Sequence, residues 1–195
     1  MAPRHRTSSI LGWGLSSSLL ALGAALWLGA SGAGAEVFYS QQEALALAFP
    51  EADRVETRTH VLTDEQAARI EALSRGPLES KLVRIHTGRR GEEVLGYALI
   101  DVHVVRTLSE ALLVVLSPGG EVRNLRVLAF HEPPDYLPTQ RWFAQFEGRS
   151  GSAPLRIGDD VHGIVGATLS ARAASLGVRR ALACYEVLIR DGHAG

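Results

Sequence analysis

After residue 35 the apolar and polar positions fall into two rhythms, one of period two and one of helical spacing, separated by clusters of glycine, proline and serine. Ser40-Gln41-Gln42-Glu43 has the form of a capping box and predicts a short helix through Phe49, stopped at Pro50. Residues 54–62 alternate as a strand, with Val55, Thr57, Thr59 and Val61 on one face. Thr63-Asp64-Glu65-Gln66 is a second capping box. Ala67, Ile70, Ala72 and Leu73 then supply the apolar stripe of a helix that should stop near Gly76-Pro77.

A strand-rich middle follows. Residues 81–86 read as a strand, Gly88-Arg89-Arg90-Gly91 as a turn, and residues 94–105 as a longer strand. Residues 112–116 form the next, closed by the turn Ser117-Pro118-Gly119-Gly120, and residues 122–130 the last. Short polar turns between consecutive strands predict an antiparallel meander. With helices placed before and after it, the fold class is α+β, an antiparallel sheet flanked by helices.

The pattern then changes. Residues 131–138 carry three prolines and predict irregular backbone. Residues 139–146 read as a short helix bearing Trp142, Phe143 and Phe146, and residues 147–154 as a loop. The longest helical pattern runs from 169 to about 189, with Ala173, Leu176, Ala183 and Val187 on a common face.

The first 35 residues follow neither rhythm. Arg4, His5 and Arg6 precede an uncharged apolar stretch from Ile10 to Leu28, and Ala33-Gly34-Ala35 provides small residues before Glu36. This is the layout of a signal peptide; the stretch also approaches the length of a membrane anchor. In either form it exports the single domain at 36–195 to the periplasm or the outer face of the inner membrane.

Charge and cysteine content narrow the chemistry. Lys and Arg number 20 against 21 acids, and without the leader the balance is 18 against 21, near −3. Nucleic acid, which demands a basic face, is not expected as a partner, nor is tight adhesion to an anionic bilayer. Cys184 is the only cysteine, which excludes an intrachain disulfide, a cysteine-held cluster and a CxxCH haem site. Within a helical pattern it reads as a buried, inert thiol. The histidines outside the leader show no tight metal-ligand spacing, and no Gly-x-Ser-x-Gly elbow, phosphate loop or dinucleotide fingerprint occurs. His103, between Val102 and Val104, reads as a structural histidine, and Arg179-Arg180 as a solvated helix face.

The stretch His162-Gly163-Ile164-Val165-Gly166-Ala167-Thr168-Leu169-Ser170 carries the candidate chemistry. Thr168 before an apolar helical run reads as an N-cap. The same geometry, with small residues exposing the hydroxyl and free N–H groups beside it, suits a phosphorylated cofactor. Trp142 and Phe146, four residues apart, share a helix face as core or as a ring wall, and Tyr136 in the proline loop is a candidate lid. His131 and Glu132 read as ligands of such a ring or as a solvated loop pair.

This stretch resembles the flavinylation motif of the FMN-binding domain family, Asp-x-x-Ser/Thr-Gly-Ala-Thr-x-Ser/Thr. That family includes the C subunit of the sodium-translocating NADH:quinone reductase and the G subunit of the Rnf electron-transport complex. Two upstream segments are similar as well, His131-Glu132-Pro133-Pro134-Asp135-Tyr136 and Trp142-Phe143-Ala144-Gln145-Phe146-Glu147-Gly148, and the resemblance spans roughly residues 80–190. It implies FMN joined by a phosphoester to Thr168, with Gly166, Ala167, Leu169 and Ser170 beside it and a flavin transferase for attachment. Its partners would be membrane or extracytoplasmic redox proteins. His162 stands at the motif's aspartate and Val165 at its Ser/Thr, so non-covalent FMN and an exported interaction module without flavin are the alternatives.

Overall fold

Strands that follow one another through tight turns also lie side by side in space. The computed structural model describes residues 36–151 and 153–193; the expected leader lies outside the described residues. The elements are β1 Glu36–Val37, α1 Gln41–Ala48, β2 Arg54–Val61, α2 Asp64–Ser74, β3 Leu82–Arg90, β4 Glu93–Val104, β5 Ser109–Leu116, β6 Val122–Phe130, α3 Gln140–Phe143 and α4 Thr168–Tyr185. The sheet is antiparallel in the order β1-β6-β5-β4-β3-β2, a meander whose far edge is closed by β1 through Glu36↔Phe130 and Val37↔Ala129. The α+β architecture is as expected, with the long helix at the C-terminal end. Among the described residues no helix is long and apolar enough to cross a membrane.

Both capping boxes are made. Glu43 N–H donates to Ser40 Oγ while Ser40 N–H donates to Glu43 Oε2, and Thr63 and Gln66 repeat the exchange. Each box satisfies two otherwise orphaned donors, which is why four local residues suffice to start a helix. In α2, Ala67 and Ile70 are buried as expected, but Ala72 and Leu73 are exposed and Ser74 is buried instead. The helix turns its 67-70-74 line toward α4, and the Ser74 hydroxyl is satisfied by the carbonyls of Glu71 and Gly76.

The turn expected at 88–91 moves. β3 continues to Arg90, and the hairpin is closed by Gly91-Glu92, with Gly91 at φ +57. Gly88 serves a packing purpose, since a Cβ there would meet the Phe49 ring at 2.4 Å. β5 also begins earlier than expected, at Ser109.

The unbroken apolar run of β5 is explained by burial on both faces. Leu112, Val114 and Leu116 join the core beneath α4 with Ile85, Leu99, Leu125, Val178 and Leu182; Leu113 and Val115 pack beneath α1 with Ala44, Leu45, Phe49, Ala98 and Leu128. On α4 the buried line is Ala171, Ala174, Val178, Ala181 and Tyr185. Ala183 and Val187 are buried as expected, whereas Ala173 and Leu176 lie half-buried on its flank. Small residues on this line bring α4 close to the sheet, and a Cβ at Gly177 would meet the Asp101 carboxylate at 2.7 Å. The helix then continues as a π turn, Glu186–Arg190.

Candidate functional site

Gly166 sits at φ +83, a conformation that favours glycine, and lets the chain turn into α4. Ala167 N–H donates to Ile164 O, and Ala167 itself occupies the N-cap position. Thr168 is therefore not the cap expected from the sequence. It is the first residue of the helix, and no side chain caps the first turn. The Thr168 side chain is exposed, its hydroxyl reaching only the Ile164 carbonyl at 3.5 Å. An uncapped helix start presents free N–H groups and the positive end of the helix dipole.

Beside this turn lies a cleft of about 260 Å³ lined by Arg106, Tyr136, Gly166, Ala167, Thr168, Leu169 and Ser170. Six of the residues singled out in the sequence thus converge, Tyr136 from the proline segment and five from the Gly-Ala-Thr turn. Tyr136 belongs to a single 3-10 turn, Pro134–Tyr136, within the segment expected to be irregular. Arg106 was not legible as a site residue. It comes from the β4–β5 turn, and its guanidinium carbon lies 4.4 Å from the Tyr136 ring centroid.

The other three residues sit apart from the lining. Val165 projects fully into solvent. His162 is exposed, and its backbone is held on both sides: its N–H donates to Gln145 Oε1 and its carbonyl accepts the Trp142 indole N–H, each at 2.7 Å. Trp142 stacks edge-on against Phe143 and Phe146, with ring centroids 5.2 Å away in each case. It therefore ties the segment before α4 to the core and is not a wall of the cleft. His131 rests its Nδ1 against the Ser109 carbonyl at 3.0 Å. Glu132 is not a solvated partner of His131. It is 7% exposed and binds backbone N–H groups of the β4–β5 turn.

A second feature was missed by sequence reasoning. Arg180 is no solvated cation: it is 3% exposed and pairs bidentately with Asp101. Arg179, half-buried, donates to the carbonyls of Ser74 and Leu155. His103 is buried as expected, yet it bridges Asp101 and Glu110 through its two ring nitrogens, at 2.7 and 3.2 Å. Burial alone would push this imidazole down, but the hydrogen bonds and charges of Asp101 and Glu110 prevail and raise it to about 9. Burial, reinforced by the Asp101 charge, pushes the Cys184 thiol up to about 12, as befits an inert cysteine.

Arg180 and Cys184 also border another cleft, of about 270 Å³, where β3 and β4 part beyond the pair Ile85↔Leu99. Its buried cation is already saturated by Asp101, so it offers mainly apolar wall. The accessible hydroxyl and the uncapped helix start are at Thr168. Among the described residues no cluster of histidine, cysteine, aspartate or glutamate could hold a metal ion. Comparison of the chain with protein-family models and with curated proteins found no match.

Proposed function

We propose that this chain is an exported flavoprotein that carries FMN through a phosphoester to Thr168 and relays electrons between membrane or extracytoplasmic redox proteins. The observation that supports this reading is the accessible Thr168 hydroxyl on the first residue of α4, opening onto a cleft under Tyr136. A threonine packed inward, or one without adjoining space, would leave no room for the group.

The residues fit a flavin phosphate. Thr168 Oγ would supply the ester oxygen, and the uncapped N–H groups at the start of α4 would be available to the phosphate. Tyr136 and the exposed Leu169 provide flat and apolar surface at the rim for a ring system. When bound, FMN supplies acceptance and release of one or two electrons, and the protein needs only to position and tune it. That division of labour accords with a cleft lined by no acid–base pair.

The test is co-production of the chain with a flavin transferase, followed by denaturing electrophoresis under ultraviolet light and intact-mass measurement. A fluorescent band that disappears in Thr168→Ala, with a mass increase of FMN less one water, is the expected result. A dark wild-type band removes covalency. A colourless protein that also ignores added FMN selects the exported interaction module instead.

A further inference from the structure

The β4–β5 turn is a four-residue connection in which Val105 N–H donates to Leu108 O at 3.0 Å. Beneath it lies the carboxylate of Glu132, a residue of the segment that follows β6. One oxygen, Oε1, accepts the N–H groups of Arg106, Thr107 and Leu108 at 3.0, 2.6 and 2.9 Å. A carboxylate receiving three N–H groups is held in its charged form, and these bonds keep Glu132 below the usual carboxylate range. The turn is thereby fixed from below, and the Arg106 side chain leaves it over the Tyr136 ring, 4.4 Å from the centroid. Tyr136 stands four residues after Glu132, so one short segment both anchors the turn and supplies the ring on which its arginine rests.

The polar side chains that line the cleft can all donate. Arg106 is the one charged side chain among the lining residues. The first turn of α4, an 18-residue helix, adds uncapped N–H groups and the dipole. Ser170, 1% exposed and also lining the cleft, has a hydroxyl with no hydrogen-bond partner. A buried hydroxyl without a partner is costly, and a ligand oxygen would satisfy it.

We propose that Arg106, held in position by Glu132, is the phosphate clamp of this cleft, and that a single cation fits it to one phosphate group and not to a diphosphate. The proposal rests on the flavin reading only for what the phosphate carries. Arg106 contacts the ligand; Glu132 is a positioning residue that acts through it.

The experiment uses the full chain as Thr168→Val, which blocks the ester, titrated with FMN, riboflavin, FAD and inorganic phosphate by flavin fluorescence and thermal shift. FMN should bind at least about tenfold tighter than riboflavin or FAD, the scale of a charge-assisted hydrogen bond. Arg106→Gln should abolish that preference, bringing the FMN-to-riboflavin affinity ratio to about one, and Arg106→Lys should retain part of it. Glu132→Ala should lose the preference too, and Glu132→Gln, whose amide oxygen still accepts, should recover some of it. General damage to the fold would weaken both flavins alike and leave the ratio unmoved. Equal binding of FMN and riboflavin, FAD binding as tightly as FMN, or a ratio indifferent to Arg106 overturns the proposal. If Thr168 is flavinylated yet the ratio ignores Arg106, the clamp falls and the flavin reading stands. If only inorganic phosphate binds, in an Arg106-dependent way, and the parent chain takes up no flavin, the clamp stands and the flavin reading falls. If no probe binds, the clamp falls, and the flavin reading stands only if the parent chain is flavinylated at Thr168.

Discussion

Arg180 grips Asp101 with both arms of its guanidinium, Nε to Oδ1 at 2.8 Å and Nη2 to Oδ2 at 2.6 Å, across 79 residues of chain. The pair fastens α4 to β4 where Gly177 lets the helix approach. His103 and Glu110 extend it into a buried network of two cations and two carboxylates.

Removing one member of such a network leaves a buried charge without its partner, which costs about 3–5 kcal/mol. Asp101→Ala should therefore lower the stability of the fold by that order, as read from denaturant unfolding. The double variant Asp101→Leu/Arg180→Met should recover much of the loss, because apolar side chains of similar volume need no partner. Equal stability of Asp101→Ala and the parent chain would mean that the Pro77 carbonyl and Glu79 suffice to hold Arg180.

The network makes stability depend on pH in a stated direction. His103 is raised from its ordinary 6.5 to about 9 in the fold, so between those values the native chain holds a proton that the unfolded chain has released. The stabilisation is complete below 6.5 and is lost as pH rises through 9; the shift corresponds to something on the order of 3 kcal/mol. Asp101 works at the acid end. Burial opposes its charge, but His103 and Arg180 hold it below its ordinary 3.8, so its contribution is present above that value and fades as pH falls further. Unfolding free energies should decline from pH 6.5 to 9.5 in the parent chain. In His103→Gln the decline should be much shallower.

Cys184 should resist alkylation in the native state. It is 4% exposed, and burial together with the Asp101 charge keeps its thiol at about 12, so almost no thiolate is present at neutral pH. Mass-spectrometric labelling should therefore be negligible in buffer and complete in denaturant. Rapid native labelling would contradict the packing of α4 against the sheet.

Trp142→Phe separates the two contacts of that indole. The ring stacking on Phe143 and Phe146 is largely kept, while the N–H that donates to the His162 carbonyl at 2.7 Å is removed. Stability should fall by about 1 kcal/mol, the worth of one hydrogen bond. The segment leading into α4 loses its tether, and under the proposed flavin function incorporation at Thr168 should fall with it. Unchanged incorporation, measured by intact mass, would show that Gly166 and the Ile164 carbonyl suffice to present the threonine.

How much of this was legible depended on range. The boxes at Ser40 and Thr63 were readable because each is closed within four residues. The strand at Val122–Phe130 matched to the residue, since turn signals bound it on one side and prolines on the other. The turn at Gly88 was misread because that glycine answers to Phe49, 39 positions away, and not to its neighbours. Thr168 was recognised as exposed at the helix start, but its rank as cap was one position off, since Ala167 takes the N-cap with no side chain able to fill the role.

By itself, the order of residues determined what neighbours in the chain decide among themselves: helix starts, strand periods, the antiparallel class, and a hydroxyl set before a long helix. Only the tertiary structure decided which charges are solvated. Arg179-Arg180 and Glu132 look like surface residues in a linear reading. Folding carries the first pair against β4 and the loops beside it, and places the second under the Arg106 turn. The physical reason is that the cost of burying a charge is offset only by partners far along the chain, and a one-dimensional pattern contains no distances between them.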